Sequence, residues 1–128
     1  DDAGVAAPGR VVRHDDDDLT ILRSPWGEMA VPGRLGQPGR TVRLRILARD
    51  VSLALAREVG STLVNQFAVE IRAVEELAPG ECLVRLASGP ASDELLARVT
   101  RRSAERLDLA PGLRVWARVK SVAVVGAP

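Results

Sequence analysis

Two stretches, each opening on Pro-Gly and continuing as an alternation of apolar and polar, mainly basic, residues, constrain this chain more than any other feature. Pro38-Gly39-Arg40-Thr41-Val42-Arg43-Leu44-Arg45-Ile46-Leu47 is matched near the end of the chain by Pro111-Gly112-Leu113-Arg114-Val115-Trp116-Ala117-Arg118-Val119-Lys120. Period-two alternation sends successive side chains to opposite faces of a strand, so each stretch has one face for a core and one for water. The Pro-Gly before each is a turn. With a small difference in length, the likeness continues through Ala48-Arg49-Asp50-Val51 and Ser121-Val122. It suggests a duplicated unit of about 55 to 65 residues, each half too small to be comfortable alone. Two unrelated alternating strands are the competing explanation.

The remaining signals are also of strands. Residues 10–13 and 19–23 are β-prone runs separated by His14-Asp15-Asp16-Asp17-Asp18, and Ser24-Pro25-Trp26-Gly27 turns the chain into 28–31, giving a meander. Residues 65–74 carry Phe67, Val69 and Ile71 on one face against Glu70 and Arg72 on the other, and Pro79-Gly80 turns into 81–87. Residues 93–100 fit both period two and a helix face; strand is the reading adopted. Ser103 is then the expected N-cap of a short helix, with Glu105 in its first turn and Pro111-Gly112 ending it after about two turns. A last strand is expected from Leu113 to Val125. The fold class that follows is all-β with one short helix, built as tandem antiparallel β-barrels of the oligonucleotide/oligosaccharide-binding (OB) type. The first half is expected over residues 1–56 and the second over 57–128.

Composition removes several function classes. Lys and Arg number 18 against 17 Asp and Glu, a formal charge of +1, so no global field draws the chain to nucleic acid or an anionic membrane. Trp26, Phe67 and Trp116 are the only aromatics, too few for a base-stacking platform, and Phe67 and Trp116 read better as core or interface anchors. No apolar run approaches the roughly 20 residues that span a bilayer, so direct membrane insertion is not expected. The single cysteine, Cys82, supports neither a disulfide scaffold nor a zinc cluster and is expected to be buried in a reducing compartment. There is one histidine, no tyrosine and no nucleophile elbow, so no catalytic residue is assigned. His14 with the four following aspartates does not make a convincing metal site, because consecutive acids at a hairpin tip point apart. An Asp rather than a Met at position 1 carries the expectation that the chain is a piece of a longer one.

The chemistry that remains is anion capture in the last third of the chain. Ser103 at a helix start offers a hydroxyl beside unpaired backbone N–H groups, and Thr100 lies three residues before it. Lys120 adds a point charge, and Ser121 a further hydroxyl. Each has a plain alternative: Ser103 as only a cap, Thr100 as a β-branched strand residue, Lys120 as part of a solvated face.

From Thr41 onward the chain resembles the C-terminal regulatory region of the ATP-binding subunit of molybdate ABC transporters, the molybdate-binding Mop/TOBE family. The resemblance rests on Ala48-Arg49-Asp50-Val51-Ser52-Leu53-Ala54-Leu55, Ser61-Thr62-Leu63-Val64-Asn65, Leu96-Ala97-Arg98-Val99-Thr100 with Ser103, Leu109-Ala110-Pro111-Gly112-Leu113 and Val119-Lys120-Ser121-Val122, in that order and spacing. It implies tandem TOBE barrels that form a homodimer and hold molybdate or tungstate, with no organic cofactor, at the subunit interface. It further implies an ATPase domain elsewhere in the parent chain, membrane permease subunits as partners, and a cytoplasmic place peripheral to the inner membrane. The chain has no Gly-x-x-x-x-Gly-Lys-[Ser/Thr] loop, so the ATPase itself is not in this sequence. Family members often carry arginine just before the asparagine of the Ser61–Asn65 segment; here that residue is Val64, leaving Thr62 and Asn65 as neutral donors. In the first copy Arg49-Asp50 stands where the second has Lys120-Ser121, and Asp50 would repel an anion. A ligand-free structural dimerisation module and a free-standing molybdate carrier, like the molbindins, are the alternatives.

Overall fold

The computed structural model describes residues 3–125; the acidic start at Asp1-Asp2 lies outside them. Among the described residues ten strands form two five-stranded antiparallel sheets. In chain order these are β1 Gly4–His14, β2 Leu19–Ser24, β3 Gly27–Pro32, β4 Thr41–Leu47, β5 Val51–Ala54, β6 Asn65–Ala78, β7 Glu81–Ala87, β8 Leu95–Thr100, β9 Arg114–Val119 and β10 Ala123–Val125. Among the described residues one α-helix, α1 (Arg101–Arg106), follows β8. The fold is all-β with one short helix.

The two sheets repeat one plan. The first runs β10-β4-β1-β2-β3 and the second β5-β9-β6-β7-β8. The leading strand of each set, β1 and β6, is broken by a register shift at a comparable point, Val11/Arg13 and Ile71/Ala73. The two Pro-Gly turns match as well: Gly39 and Gly112 have φ of 94° and 93°, a conformation that disfavours any residue with a Cβ. Between the copies the fifth strand is exchanged. β5 leaves β4 through a 3-10 turn at Ala48–Asp50 and pairs with β9, while β10 leaves β9 and pairs with β4. The expected break at residue 56 falls in the loop after β5.

Three expectations are corrected. The strand expected from Leu113 to Val125 is two strands, β9 and β10, in different sheets, because the chain crosses over at Lys120–Val122. The crossover is fixed by the Lys120 backbone N–H, which donates to the Asp50 carbonyl at 2.8 Å. The N-cap of α1 is Thr100, not Ser103: its backbone is extended and its hydroxyl accepts from the Ser103 N–H at 3.1 Å. The helix also ends before Pro111-Gly112. It stops at Arg106, and the Leu109 N–H returns to the Ala104 carbonyl at 2.9 Å past Asp108, whose φ is 52°. Residues 95–100 are a strand, as read.

Pro8 sits inside β1 without harm, because residues 4–9 pair only with β4 and β2 joins from Arg10 onward. The buried faces of the two sheets share one core, in which Leu22, Leu44 and Ile46 of the first meet Phe67, Ile71 and Leu86 of the second. Trp26 is buried and Trp116 partly so, and Cys82 is buried. Polar clasps close the seam. The Trp26 indole donates to the Asp93 carbonyl at 2.9 Å, and the Ser88 hydroxyl to the Pro25 carbonyl at 3.2 Å.

Candidate functional site

A pocket of about 330 Å³ opens on that seam. From the first sheet it takes Leu19, Ala30, Val31 and Pro32; from the chain around the second it takes Thr62–Asn65 and Val119–Val122. Four residues singled out from the sequence, Thr62, Asn65, Lys120 and Ser121, are therefore gathered in one place although the first and last of them are far apart in the chain. Lys120 and Ser121 face the pocket because the crossover between β9 and β10 breaks the ladder at that point, leaving both exposed. Thr62 is exposed too, in the loop before β6. No carboxylate is among the lining residues, and Lys120 is the one charged residue there. Asp50 lies in a neighbouring depression with Arg45 and Ser121.

Asn65 also has a structural part. At the start of β6 its carboxamide spans the seam, accepting from the Ala30 N–H at 2.8 Å and donating to the Ala30 carbonyl at 2.9 Å. It thus completes the hydrogen bonding of β3 at the sheet edge, leaving one amide hydrogen for anything in the pocket. Thr100 and Ser103 are not among the pocket residues. They sit together at the mouth of α1, exposed, where the Thr100 hydroxyl donates to the Ser103 hydroxyl at 3.1 Å. Val64 lines the pocket and is 64% exposed.

Sequence reasoning passed over Gln66 and Arg118, cross-strand partners on β6 and β9. Gln66 accepts from the Glu58 N–H at 2.9 Å and donates to the Glu58 and Leu63 carbonyls at 2.8 and 3.0 Å. Arg118 pairs with the Glu58 carboxylate at 2.7 Å. No motif announces either, since the bonds go to a loop without periodicity. Away from the pocket, hydrogen bonds to Glu75 and Glu94 hold the Arg85 guanidinium further above its ordinary pKa. Among the described residues no three His, Cys, Asp or Glu gather as a metal site. What the pocket offers is donors and one cation.

Residues 61–125 match the family model of the TOBE domain. The chain belongs to the TOBE family. The TOBE match takes in β6 to β10, and with them both the Thr62–Asn65 wall and the Lys120–Ser121 crossover. The chain is 44% identical over 128 residues to the molybdenum import ATP-binding protein ModC 1 of Azotobacter vinelandii, covering 98% of this chain and 35% of that protein. It is 50% identical over 121 residues to the molybdenum import ATP-binding protein ModC of Thiobacillus denitrificans, covering 86% of this chain and 33% of that one. This TOBE chain thus spans about a third of the length of the curated relatives it matches. Its fold is similar to that of the cytoplasmic molybdate-binding protein ModG, solved with molybdate bound, at a TM-score of 0.79 and 21% identity over 97% of this chain and 96% of that one.

Proposed function

We propose that this TOBE chain binds molybdate or tungstate and is the oxyanion-sensing part of the ATP-binding subunit of an ABC importer. The observation that carries the reading is the seam pocket, lined by Lys120, Ser121, Thr62 and the rest of the crossover without a carboxylate. A tetrahedral dianion has four acceptor oxygens and no proton to give, so a shell of donors with one cation is its complement. The names of its relatives, molybdenum import ATP-binding proteins, support the same ligand and parent.

In this reading the chain is a binding module and the parent protein supplies the ATPase, with permease subunits as its partners and a cytoplasmic setting at the inner membrane. The module works as a homodimer. Thr100 and Ser103, exposed away from the Lys120 pocket, would join an anion's shell only across that interface. Bound oxyanion would report a replete cell and restrain uptake. With Val64 where family members often have arginine, Lys120 carries most of the neutralising charge.

Calorimetric titration with molybdate, tungstate, sulfate and phosphate tests this. Saturable binding of molybdate or tungstate at micromolar concentration is expected, weakened roughly 10- to 100-fold in Lys120→Ala, as loss of a charge-assisted contact implies. A dimer in light scattering without such binding would leave the structural module, the reading that the apolar Val64 favours.

A further inference from the structure

One wall of the seam pocket, Thr62 to Asn65, belongs to the loop between β5 and β6, and apolar burial does not hold that loop in place. Leu55, Val59 and Val64 are 54%, 87% and 64% exposed, and only Leu63 among its large apolar side chains is partly buried. Polar contacts hold it instead, and they converge on two residues. The Gln66 carboxamide uses both its acceptor and its donors, binding Glu58 through N–H and carbonyl and Leu63 through its carbonyl, so it joins the loop's start to its end. From the neighbouring strand, the Arg118 guanidinium grips the Glu58 carboxylate at 2.7 Å and lies 3.5 Å from the Ser61 hydroxyl. Ser61 in turn accepts from the Leu63 N–H at 3.0 Å. Arg118 is only 16% exposed, and its Nε is buried without a hydrogen-bond partner, a cost the loop contacts must offset.

We propose that Gln66 and Arg118 are positioning residues for the oxyanion site: as a cross-strand pair they clip the 58–63 loop and so hold the Thr62 hydroxyl against Lys120 and Ser121. The inference rests on the oxyanion reading of the pocket. Neither residue lines the pocket, so each acts through Thr62 and its neighbours. A loop held by hydrogen bonds to two side chains opens at low free-energy cost once one is removed, and an anion would then have to order it on binding.

The test uses the chain in wild-type form and as Gln66→Ala, Gln66→Glu, Arg118→Gln and Arg118→Lys. Molybdate titration, thermal unfolding and amide hydrogen exchange at residues 58–63 are measured on each. Gln66→Ala and Arg118→Gln should weaken molybdate binding about tenfold and speed exchange at Glu58, while the melting temperature moves little. Gln66→Glu keeps an acceptor for the Glu58 N–H but loses both donors, and should behave like Gln66→Ala. Arg118→Lys keeps a cation for Glu58 and should recover much of the loss. Folded variants with faster loop exchange but wild-type affinity would overturn the positioning role, as would exchange at Glu58 unchanged by Gln66→Ala. No molybdate binding by the wild type would instead overturn the oxyanion reading itself, and this inference with it.

Discussion

Asn65 shows how a residue's type can be read while its main partner stays hidden. An asparagine after Ser61-Thr62-Leu63-Val64 reads as a neutral donor, yet its carboxamide is bonded twice to Ala30, across the seam. That partner lies 35 residues away, beyond the reach of any local pattern. Asn65→Ala should cost about 2 kcal/mol, two hydrogen bonds at about 1 kcal/mol each, measured by urea denaturation; a loss below about 0.5 kcal/mol would contradict the clasp. Thr100 makes a similar point at closer range. Both Thr100 and Ser103 are plausible caps, and the choice falls to the one that ends the β7–β8 ladder, where Thr100 sits opposite Glu81. Thr100→Ala should therefore destabilise by about 1 kcal/mol and Ser103→Ala by less, and a reversed order would show the cap to be misassigned.

At the scale of elements, the alternating strands after the Pro-Gly turns were legible because their period and their turns are local. The crossover was not. Only Ser121 in the apolar phase of Val115, Ala117 and Val119, with apolar Val122 and Val124 in the opposite phase, hints at a break; the break itself is made by the Lys120 bond to Asp50 and by pairing of Ala123–Val125 with Arg43–Arg45. The same exchange explains why Val51–Ala54, a short run after a 3-10 turn, joins the distant sheet. The crossover places Lys120 and Ser121 between two anchored strands, so a loosened β10 should loosen the site. Val124 is partly buried against the common core, and Val124→Asp should lower stability and weaken molybdate binding together. Unchanged affinity in a variant whose β10 amides exchange freely would separate the two.

For the whole molecule, the decisive fact is that the sheets share a core and exchange strands, so neither closes alone. Heating should give one calorimetric transition, and two separable transitions would contradict a common core. A ligand on the seam, touching both sheets, should raise that transition by the amount mass action allows, about 2.7 kcal/mol of stability at a hundredfold excess over Kd. All-β class, single short helix and repeat could be read from composition and periodicity, whereas the seam pocket could not, because it exists only where residues near 30, 62 and 120 meet. Location is therefore the central claim, and anomalous diffraction from crystals grown with tungstate tests it most directly. A tungsten peak beside Lys120 and Ser121, lost in Lys120→Ala, is the predicted result; a peak confined to the Thr100–Ser103 mouth, or none at saturating tungstate, would contradict it.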